Sequence, residues 1–377
     1  MRATDGDYRR HVTGSGPGSL AAAVEAGLAG TGVPSLSAGV RRLMTAYRSG
    51  EVPDAPVLAS GADAAAYAAY RMPATAAATA QALRQLRACM PGWAPAALLD
   101  FGTGTGGAAW AAADQLPSVT SMTLLEQSAE AIRLGKAIFA AGAAPALSSA
   151  RWRAWRLPAD EELSSAGAGA ASPDLPSADL ATAAYVLGEL TAAQQAALVA
   201  LAARAAPAVL LVEPGTPAGH RRILAARAQL LAAGHVVAAP CPHQLGCPLD
   251  VDGDWCHFGA RLQRSAVHRQ AKGADLSYED EKYSYVAAVR PGSAAVRPGS
   301  PGNAGPDVTA PLGRIVRRPQ QRKGLVMLDL CWREGAVRRE LVAKSKGELY
   351  RQARKISWGD SWPPLAKDEG HDRDRDP

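Results

Sequence analysis

The sequence has no long hydrophobic run. No stretch of about eighteen uncharged apolar residues occurs, so no transmembrane helix is expected. The first twenty residues, MRATDGDYRRHVTGSGPGSL, lack the apolar centre of a secretory signal. The richness in Ala, Gly and Arg is typical of a GC-rich bacterial genome, so the expected location is the bacterial cytoplasm. In such a reducing compartment the few cysteines, five in 377 residues, favour metal ligation over disulfides where they cluster.

Acidic side chains are scarce in one segment. Between Leu312 and Lys355, thirteen Lys and Arg stand against four Asp and Glu, a local charge of +9 in a chain of net charge +6. A basic segment whose charge exceeds that of the whole chain favours a surface that faces a polyanion. A solvated basic face without a partner is an equally weighted alternative.

The order of apolar patterns predicts an α/β fold. Residues 1–90 read as Ala-rich helices, which Pro73 should interrupt near Arg71. After them, apolar strands alternate with helices, at AALLDFG, SMTLLE, RWRAWRL, ADLATAAYVL, AVLLVEP and HVVAAP. A flexible loop is expected from the third strand to Ser177, and a seventh, antiparallel strand at KYSYVAAV. This alternation predicts a mostly parallel sheet with helices on both faces.

The chain divides into five predicted parts. A helical region, 1–90, precedes an α/β domain, 91–290, which carries a cysteine-bearing insertion at 240–283. A Pro/Gly/Ser-rich stretch at 291–311 predicts a flexible linker, and 312–365 predicts a small, basic, β-rich lobe. The charged tail, 366–377, is expected to be disordered.

A glycine-rich loop, LLDFGTGTGG, follows the first strand of the α/β domain. Gly102, Gly104 and Gly106 permit a tight turn and a close approach of backbone to a ligand at a helix N-terminus. Glu126, at the end of the second strand, stands where a carboxylate would bind ribose hydroxyls. The loop alone is compatible with NAD and with S-adenosylmethionine. Asp100 favours S-adenosylmethionine, because a carboxylate suits the methionyl ammonium better than a pyrophosphate.

No familiar catalytic signature follows the fourth strand. It ends in YVLGEL, without the Asn-Pro-Pro-Tyr type of motif of base-amino methyltransferases and without a cysteine nucleophile. Tyr185, Glu189 and Glu213 fall at the carboxyl end of the sheet, where ligands bind. Each is at least as compatible with a scaffold role, so whether the protein is an enzyme stays open.

Cys241, Cys247 and Cys256 lie within sixteen residues, and Cys331 lies in the distal lobe. Four thiolates complete a zinc site or hold an iron–sulfur cluster. The spacing differs from the paired C-x-x-C of zinc ribbons, and unliganded thiols are the plainer alternative. Either metal centre would fasten the lobe to the α/β domain. Cys89, alone in a helical region, is expected to be buried as a small apolar residue.

Three basic elements flank these cysteines. ARLQRSAVHRQAKG has the spacing of one helical face, and the acidic SYEDEKYSY after it reads as a turn. Beyond the linker, RIVRRPQQRKG and KSKGELYRQARKISWGDSWP mix Lys and Arg with Tyr350, Trp358 and Trp362. Phosphate contacts together with stacking on these aromatic rings favour RNA as the partner.

The segments VEPGTPAGHRRILAAR, APCPHQLGCP, DWCHFGARLQRSAVHR, YEDEKYSYVA and KGLVMLDLCWREG…SKGELYRQARKISWGD resemble, in this order, a known family. It comprises the small-ribosomal-subunit methyltransferase-like assembly factors of mitochondria and their bacterial relatives, and the resemblance covers roughly residues 65–365. It implies a class I, Rossmann-like methyltransferase sheet of seven strands and binding to small-subunit rRNA and the pre-ribosomal small subunit. It also implies a [4Fe-4S] cluster held by Cys241, Cys247, Cys256 and Cys331. Two alternatives stay open: a non-enzymatic RNA-binding assembly factor with a methyltransferase scaffold, and a zinc-containing methyltransferase of a non-RNA substrate.

Overall fold

The structure, a computed structural model, describes residues 18–49, 57–166, 175–249, 253–272, 276–292, 308 and 310–364. The predicted tail at 366–377 and most of the predicted linker at 291–311 lie outside these residues. None of the helices in the described ranges combines the length and hydropathy that a bilayer span requires.

Among the described residues, three helices precede the sheet: α1 (Leu20–Gly27), α2 (Val33–Ser49) and α3 (Gly61–Cys89). Ser60 caps α3 by accepting a hydrogen bond from the Asp63 amide. The interruption expected at Pro73 is wrong, since α3 continues through it. The helix packs on α4, β7 and β8 and buries Ala-rich turns on both sides of the proline, so packing maintains a helix that local propensity weakens.

The main sheet contains eight strands: β1 (Ala97–Phe101), β2 (Ser121–Glu126), β3 (Arg151–Ala154), β4 (Leu180–Ala184), β5 (Ala208–Pro214), β6 (Val236–Ala239), β7 (Phe258–Gln263) and β8 (Tyr278–Val289). The helices between them are α4 (Gly107–Gln115), α5 (Ala129–Ala140), α6 (Pro145–Ser148), α7 (Asp160–Ala166), α8 (Ala192–Ala205), α9 (Pro217–Ala232) and α10 (Ala266–Lys272), with a 3₁₀ turn at Leu187–Glu189.

The strand order is β3-β2-β1-β4-β5-β8-β6, with β7 paired to β8. Strands β1 to β5 are parallel, whereas β8 runs antiparallel between β5 and β6. One reversed strand next to the last position is the class I methyltransferase arrangement, and the predicted fold class is confirmed. The inner strands β1, β4 and β5 are buried almost throughout because helices cover both faces.

Two segments of the α/β domain differ from the sequence prediction. The stretch expected as one basic helical face forms β7 followed by the short helix α10, and the expected acidic turn is the first half of β8. The two strands pair antiparallel, with Arg261 bonded to Asp280 and Arg264 bonded to Glu279. Cross-strand ion pairs therefore explain the alternation of charge better than a helical face does. Part of the expected loop before Ser177 is helix α7.

In the described part of the C-terminal lobe, a five-stranded antiparallel sheet is followed by a 3₁₀ helix at Lys344–Lys346 and the short helix α11 (Glu348–Ala353), and its last strand comes after α11. Its strands are β9 (Gly313–Ile315), β10 (Gln320–Arg322), β11 (Leu325–Trp332), β12 (Val337–Ala343) and β13 (Ser361–Trp362). The lobe has its own small core around Ile315, Leu328 and Trp362. A second, smaller cluster joins Cys331 to residues of the insertion, including Leu249.

Candidate functional site

The glycine turn between β1 and α4 depends on backbone conformations that favour glycine. Gly102, Gly104 and Gly106 have φ values of +62°, +58° and +98°. A Cβ at Gly102 would lie 2.5 Å from Val186, and one at Gly106 would lie 2.4 Å from Phe139. The turn is therefore fixed both by left-handed φ angles and by close packing.

Asp100 lies beneath this turn and is only 1% exposed. Its carboxylate accepts hydrogen bonds from Thr103 (2.6 Å) and Thr182 (2.5 Å). Burial raises the pKa of Asp100 to about 6, against the opposing effect of the two hydroxyls. Asp100 is not among the described residues that line the adjoining cavity. Its geometry is that of a residue that holds the turn, and direct contact with a ligand ammonium stays a prediction.

A cavity of about 480 Å³ opens beside the turn, at the carboxyl ends of β1 and β4. Gly102, Gly104 and Glu126 line it, so three of the predicted cofactor residues meet there. Glu126 accepts a hydrogen bond from the Gly104 amide (2.8 Å) and another from the Ser128 amide (2.8 Å). Burial raises the pKa of Glu126. The two amides hold a carboxylate at the wall of a cavity whose volume suits a small-molecule cofactor.

Tyr185 stands at the end of β4 in the same cavity and is the one non-glycine residue with positive φ (63°) among the described residues. Its hydroxyl donates to Glu281 (2.9 Å), and its ring lies 4.8 Å from the Arg71 guanidinium. Arg71 in turn forms a largely buried ion pair with Glu281 (3.2 Å). Residues whose unfavourable backbone conformation is maintained by several surrounding contacts are typical of functional sites. Arg71 and Glu281 are not among the candidates from the sequence, because they lie on α3 and β8, far along the chain from the glycine turn.

The two other acidic candidates, Glu189 and Glu213, lie in different environments. Glu189 lines the cavity. Glu213 is fully buried, accepts from the Leu187 amide (3.0 Å) and pairs with Arg222 (2.7 Å). Glu213 thus anchors the 3₁₀ turn after β4.

The four predicted metal ligands, Cys241, Cys247, Cys256 and Cys331, line a second cavity, between the insertion and the lobe. All are free thiols. Burial, and then the three neighbouring cysteines, raise the pKa of Cys256 well above its usual value. Burial likewise raises the pKa of Cys331 to about 12. The tertiary structure therefore brings together thiols separated by up to ninety positions of sequence.

Whether these residues suit a metal group depends on donor chemistry and on spacing. Four cysteines suit zinc or an iron–sulfur cluster. His243 Nε2 lies 3.3 Å from the sulfur of Cys331. No group of three or more His, Cys, Asp or Glu side chains in the described ranges is arranged to hold a metal ion. The cavity measures only about 30 Å³, so its walls would have to shift for a cluster.

The structure tests several of the basic and aromatic residues that the sequence suggests for RNA binding. Two of the arginines form ion pairs with acidic side chains. Arg317 pairs with Asp254 and Arg318 with Asp280. Trp362 is 1% exposed in the core of the lobe, so the expected stacking of RNA on it is wrong. Trp358 is half-buried against His257 and Phe258. Cys89 is fully buried, as expected.

The sequence model of the family described as "Mitochondrial small ribosomal subunit Rsm22" matches residues 61–363. The human protein named "Ribosome assembly protein METTL17, mitochondrial" is 29% identical over 318 residues, 79% of this chain and 62% of the relative. "Ribosome assembly protein RSM22, mitochondrial" of Saccharomyces cerevisiae is 27% identical over 187 residues, 35% of this chain and 29% of the relative. The chain thus spans less than two thirds of the length of these relatives.

Solved methyltransferases resemble the α/β domain only distantly. The glycopeptide N-methyltransferase MtfA is 12% identical with a TM-score of 0.34, over 56% of this chain and 90% of the other. Precorrin-6y C5,15-methyltransferase from Geobacter metallireducens has the same identity, 12%, and TM-score, 0.34, over 56% and 87%.

The relatives also correct one expectation. They are mitochondrial proteins in human and in two yeasts, so the bacterial cytoplasmic location expected from composition is wrong. Composition reflects the base content of a genome and does not report a compartment. Since the family model covers most of the chain, from Gly61 to Pro363, the protein belongs to the Rsm22 family of mitochondrial small ribosomal subunit proteins.

Proposed function

We propose that this protein is an S-adenosylmethionine-binding, iron–sulfur-containing rRNA methyltransferase-like protein that acts in assembly of the small ribosomal subunit and in translation. Its partners are the small-subunit rRNA and the pre-ribosomal small subunit. The observation that carries the proposal is the family match over residues 61–363, which includes the cofactor cavity, the thiol cavity and the basic lobe. The human and the Saccharomyces cerevisiae relative are both named ribosome assembly proteins, which supports it.

S-adenosylmethionine is the proposed ligand of the cavity beside the glycine turn. Gly102 and Gly104 leave backbone accessible there, and Glu126 offers carboxylate lone pairs for ribose hydroxyls. Asp100, Gly106 and the two threonines bonded to Asp100 support the turn from below. When bound, the cofactor would supply a methyl group activated by its sulfonium, and the protein would align an acceptor with it.

The proposed metal centre is a [4Fe-4S] cluster on Cys241, Cys247, Cys256 and Cys331, with zinc as the alternative. Three thiols come from the insertion and one from β11, so a bound cluster would fasten the lobe to the α/β domain. The spacing of the cysteines, which differs from the paired C-x-x-C of zinc ribbons, favours the cluster over zinc.

The proposed rRNA surface is one end of the lobe, here called the basic end. It consists of exposed cations from three segments: Arg322, Lys323, Lys344, Lys346, Arg354 and Lys355. Two hydrogen bonds bring the segments together, from the Lys344 amide to Gly324 (2.8 Å) and from Gln321 to the Arg354 carbonyl (2.9 Å). None of these cations has an ion pair with a described residue, whereas Arg338 and Arg339 of the same lobe pair with Glu334 and Asp329. Unpaired exposed cations suit phosphate binding.

Binding to small-subunit rRNA at several salt concentrations tests this surface. Replacing Arg322, Lys323 and Lys346 with Gln should reduce the slope of log K against log salt by about 2 to 3, at ~0.7 to 0.9 for each lost phosphate contact. Arg338→Gln with Arg339→Gln, on the same lobe, is the matched control and should change the slope little. Equal slopes for the wild type and the triple variant would refute the proposed surface and favour a methyltransferase with a non-RNA substrate.

Substitution of the glycine turn separates an enzyme from a scaffold. Gly104→Ala places a Cβ 3.1 Å from the Tyr67 ring at φ +58° and should abolish cofactor binding. If small-subunit maturation fails in Cys331→Ser and in basic-end variants but is normal with Gly104→Ala, the methyltransferase domain is a scaffold. If maturation also fails with Gly104→Ala while rRNA affinity and metal content are unchanged, a cofactor-dependent step is required.

A further inference from the structure

Two buried arginines line the thiol cavity, and neither has a carboxylate in its hydrogen bonds. Arg314, on β9, is 0% exposed, and Arg227, on α9, is 6% exposed. Each comes from a different side of the cavity, the lobe and the α/β domain. A buried guanidinium without an anionic partner is strongly unfavourable, so both positions need an explanation.

Arg314 donates only to neutral acceptors. Its Nε bonds the Pro240 carbonyl (2.8 Å), its Nη1 bonds the Gly359 carbonyl (2.9 Å), and its Nη2 lies 3.5 Å from the sulfur of Cys89. The side chains of Gln85 and Ser361 accept the remaining bonds. In the register of the lobe sheet, Arg314 stands directly opposite Cys331.

Asp360 is the acidic side chain that acts electrostatically on Arg314, but it is a weak counter-charge. Asp360 accepts its hydrogen bonds from Gln85 (3.3 Å) and from the Ser357 amide (2.8 Å), not from the guanidinium. Burial raises the pKa of Asp360, which disfavours its charged form.

Arg227 shows the same pattern on the other side. Its Nη2 donates to the carbonyls of His243 (3.1 Å) and Leu245 (2.8 Å), both in the loop that carries Cys241 and Cys247. Its buried Nε has no hydrogen-bond partner among the described residues. The two arginines therefore bring positive charge that the described hydrogen bonds leave unneutralised, to the same cavity as four thiols.

We infer that Arg314 and Arg227 are the counter-charges of an anionic metal–thiolate centre, and that they set its reduction potential and its retention. This inference rests on the proposed cluster. A cluster with four thiolate ligands is a dianion and becomes more negative when it gains an electron. Nearby buried cations stabilise the reduced form, because the interior screens charge weakly. They are positioning residues and do not ligate the metal.

The test measures iron, acid-labile sulfide and reduction potential of the full chain purified without oxygen, with dithionite as reductant. Arg314→Gln and Arg227→Gln should each shift the potential to more negative values and shorten the lifetime of the cluster in air. Arg314→Lys keeps the charge but not the hydrogen bonds, so its potential should stay near that of the wild type. Arg87→Gln is the control, since Arg87 lies on α3, donates to the Gln115 carbonyl (2.8 Å) and does not line the thiol cavity.

The outcomes separate this inference from the proposed function. A wild type with iron and sulfide whose potential is unchanged in both Gln variants would overturn the inference alone. Equal shifts in Arg314→Lys and Arg314→Gln would also overturn it, because hydrogen bonding and not charge would then set the potential. A wild type that holds zinc or no metal overturns the cluster and the inference together. If Arg314→Gln retains no cluster, its potential cannot be measured, and the reduction potential of Arg227→Gln then tests the inference. A shift to more negative values supports the inference, and an unchanged potential overturns it.

Discussion

Replacing Asp100 with Asn measures the free energy required to keep a carboxylate buried beneath the glycine turn. The pKa of Asp100 rises from 3.8 to about 6, mainly through burial. A shift of about two units corresponds to ~3 kcal/mol at 1.36 kcal/mol per unit. The side chain is 1% exposed, so solvent screening does not reduce this figure.

The sign follows from proton linkage. The folded state binds the proton more tightly than the unfolded state, so the contribution of Asp100 to stability falls as pH rises between about 4 and about 6. Above about pH 6 the full ~3 kcal/mol opposes folding. Asn does not ionise. The free energy of unfolding of Asp100→Asn minus that of the wild type should therefore increase by ~2.4 kcal/mol from pH 4 to pH 7.5, because more than half of the unfolded-state carboxyl is already ionised at pH 4.

Urea unfolding followed by tryptophan fluorescence at pH 4, 5, 6 and 7.5 gives this difference, in which the titration of groups that do not interact with Asp100 cancels. Any mispairing of the Asn amide with Thr103 and Thr182 adds an offset that does not depend on pH. Thr182→Val is the companion variant. It removes a hydroxyl that favours the ionised form, so it should destabilise the protein more at pH 7.5 than at pH 4. A flat or falling difference for Asp100→Asn would refute the argument that burial controls this carboxyl.

Three further predictions concern the turn, the cavity wall and the thiols. Gly106→Ala should lower the free energy of unfolding by about 2–4 kcal/mol, because φ is +98° and Phe139 lies 2.4 Å from the new Cβ. Gly92→Ala is the control. Its φ is +76° but the space around it is open, so it should lower the free energy of unfolding by only about 1–2 kcal/mol. Both values come from urea unfolding, and equal losses would contradict the packing argument. Glu126→Gln should weaken S-adenosylmethionine binding about 10- to 100-fold, because a charged acceptor bonded to the Gly104 amide is lost. Calorimetry measures this affinity. An unchanged affinity would show that Glu126 is not part of the site. Cys331→Ser should lose bound metal and make the lobe more sensitive to protease. Cys89→Ser, at a buried site outside the thiol cavity, should keep its metal. Retained metal in Cys331→Ser would show that the lobe supplies no ligand.

Residues with local signals were predicted well. The apolar strands β1 to β6, the glycine turn and the antiparallel β8 follow from periodicity and from glycine placement, which depend on neighbouring positions only. The strand β7 was missed for the same reason. Its Arg residues have helical spacing, but their partners Glu279 and Asp280 lie in a segment that pairs with it only after the chain turns back.

The sequence by itself determined the class of the fold, the residues of the glycine turn and the set of cysteines. The tertiary structure alone decided that Arg71 and Glu281 meet at Tyr185, and that Trp362 is buried in the lobe and not available for stacking. It also places Cys331 at one cavity with three thiols that are 75 to 90 positions away in sequence. It also decided that Arg314 and Arg227 face those thiols. The physical reason is that local propensity acts over a few residues, whereas burial, charge pairing and desolvation depend on which distant segments pack together.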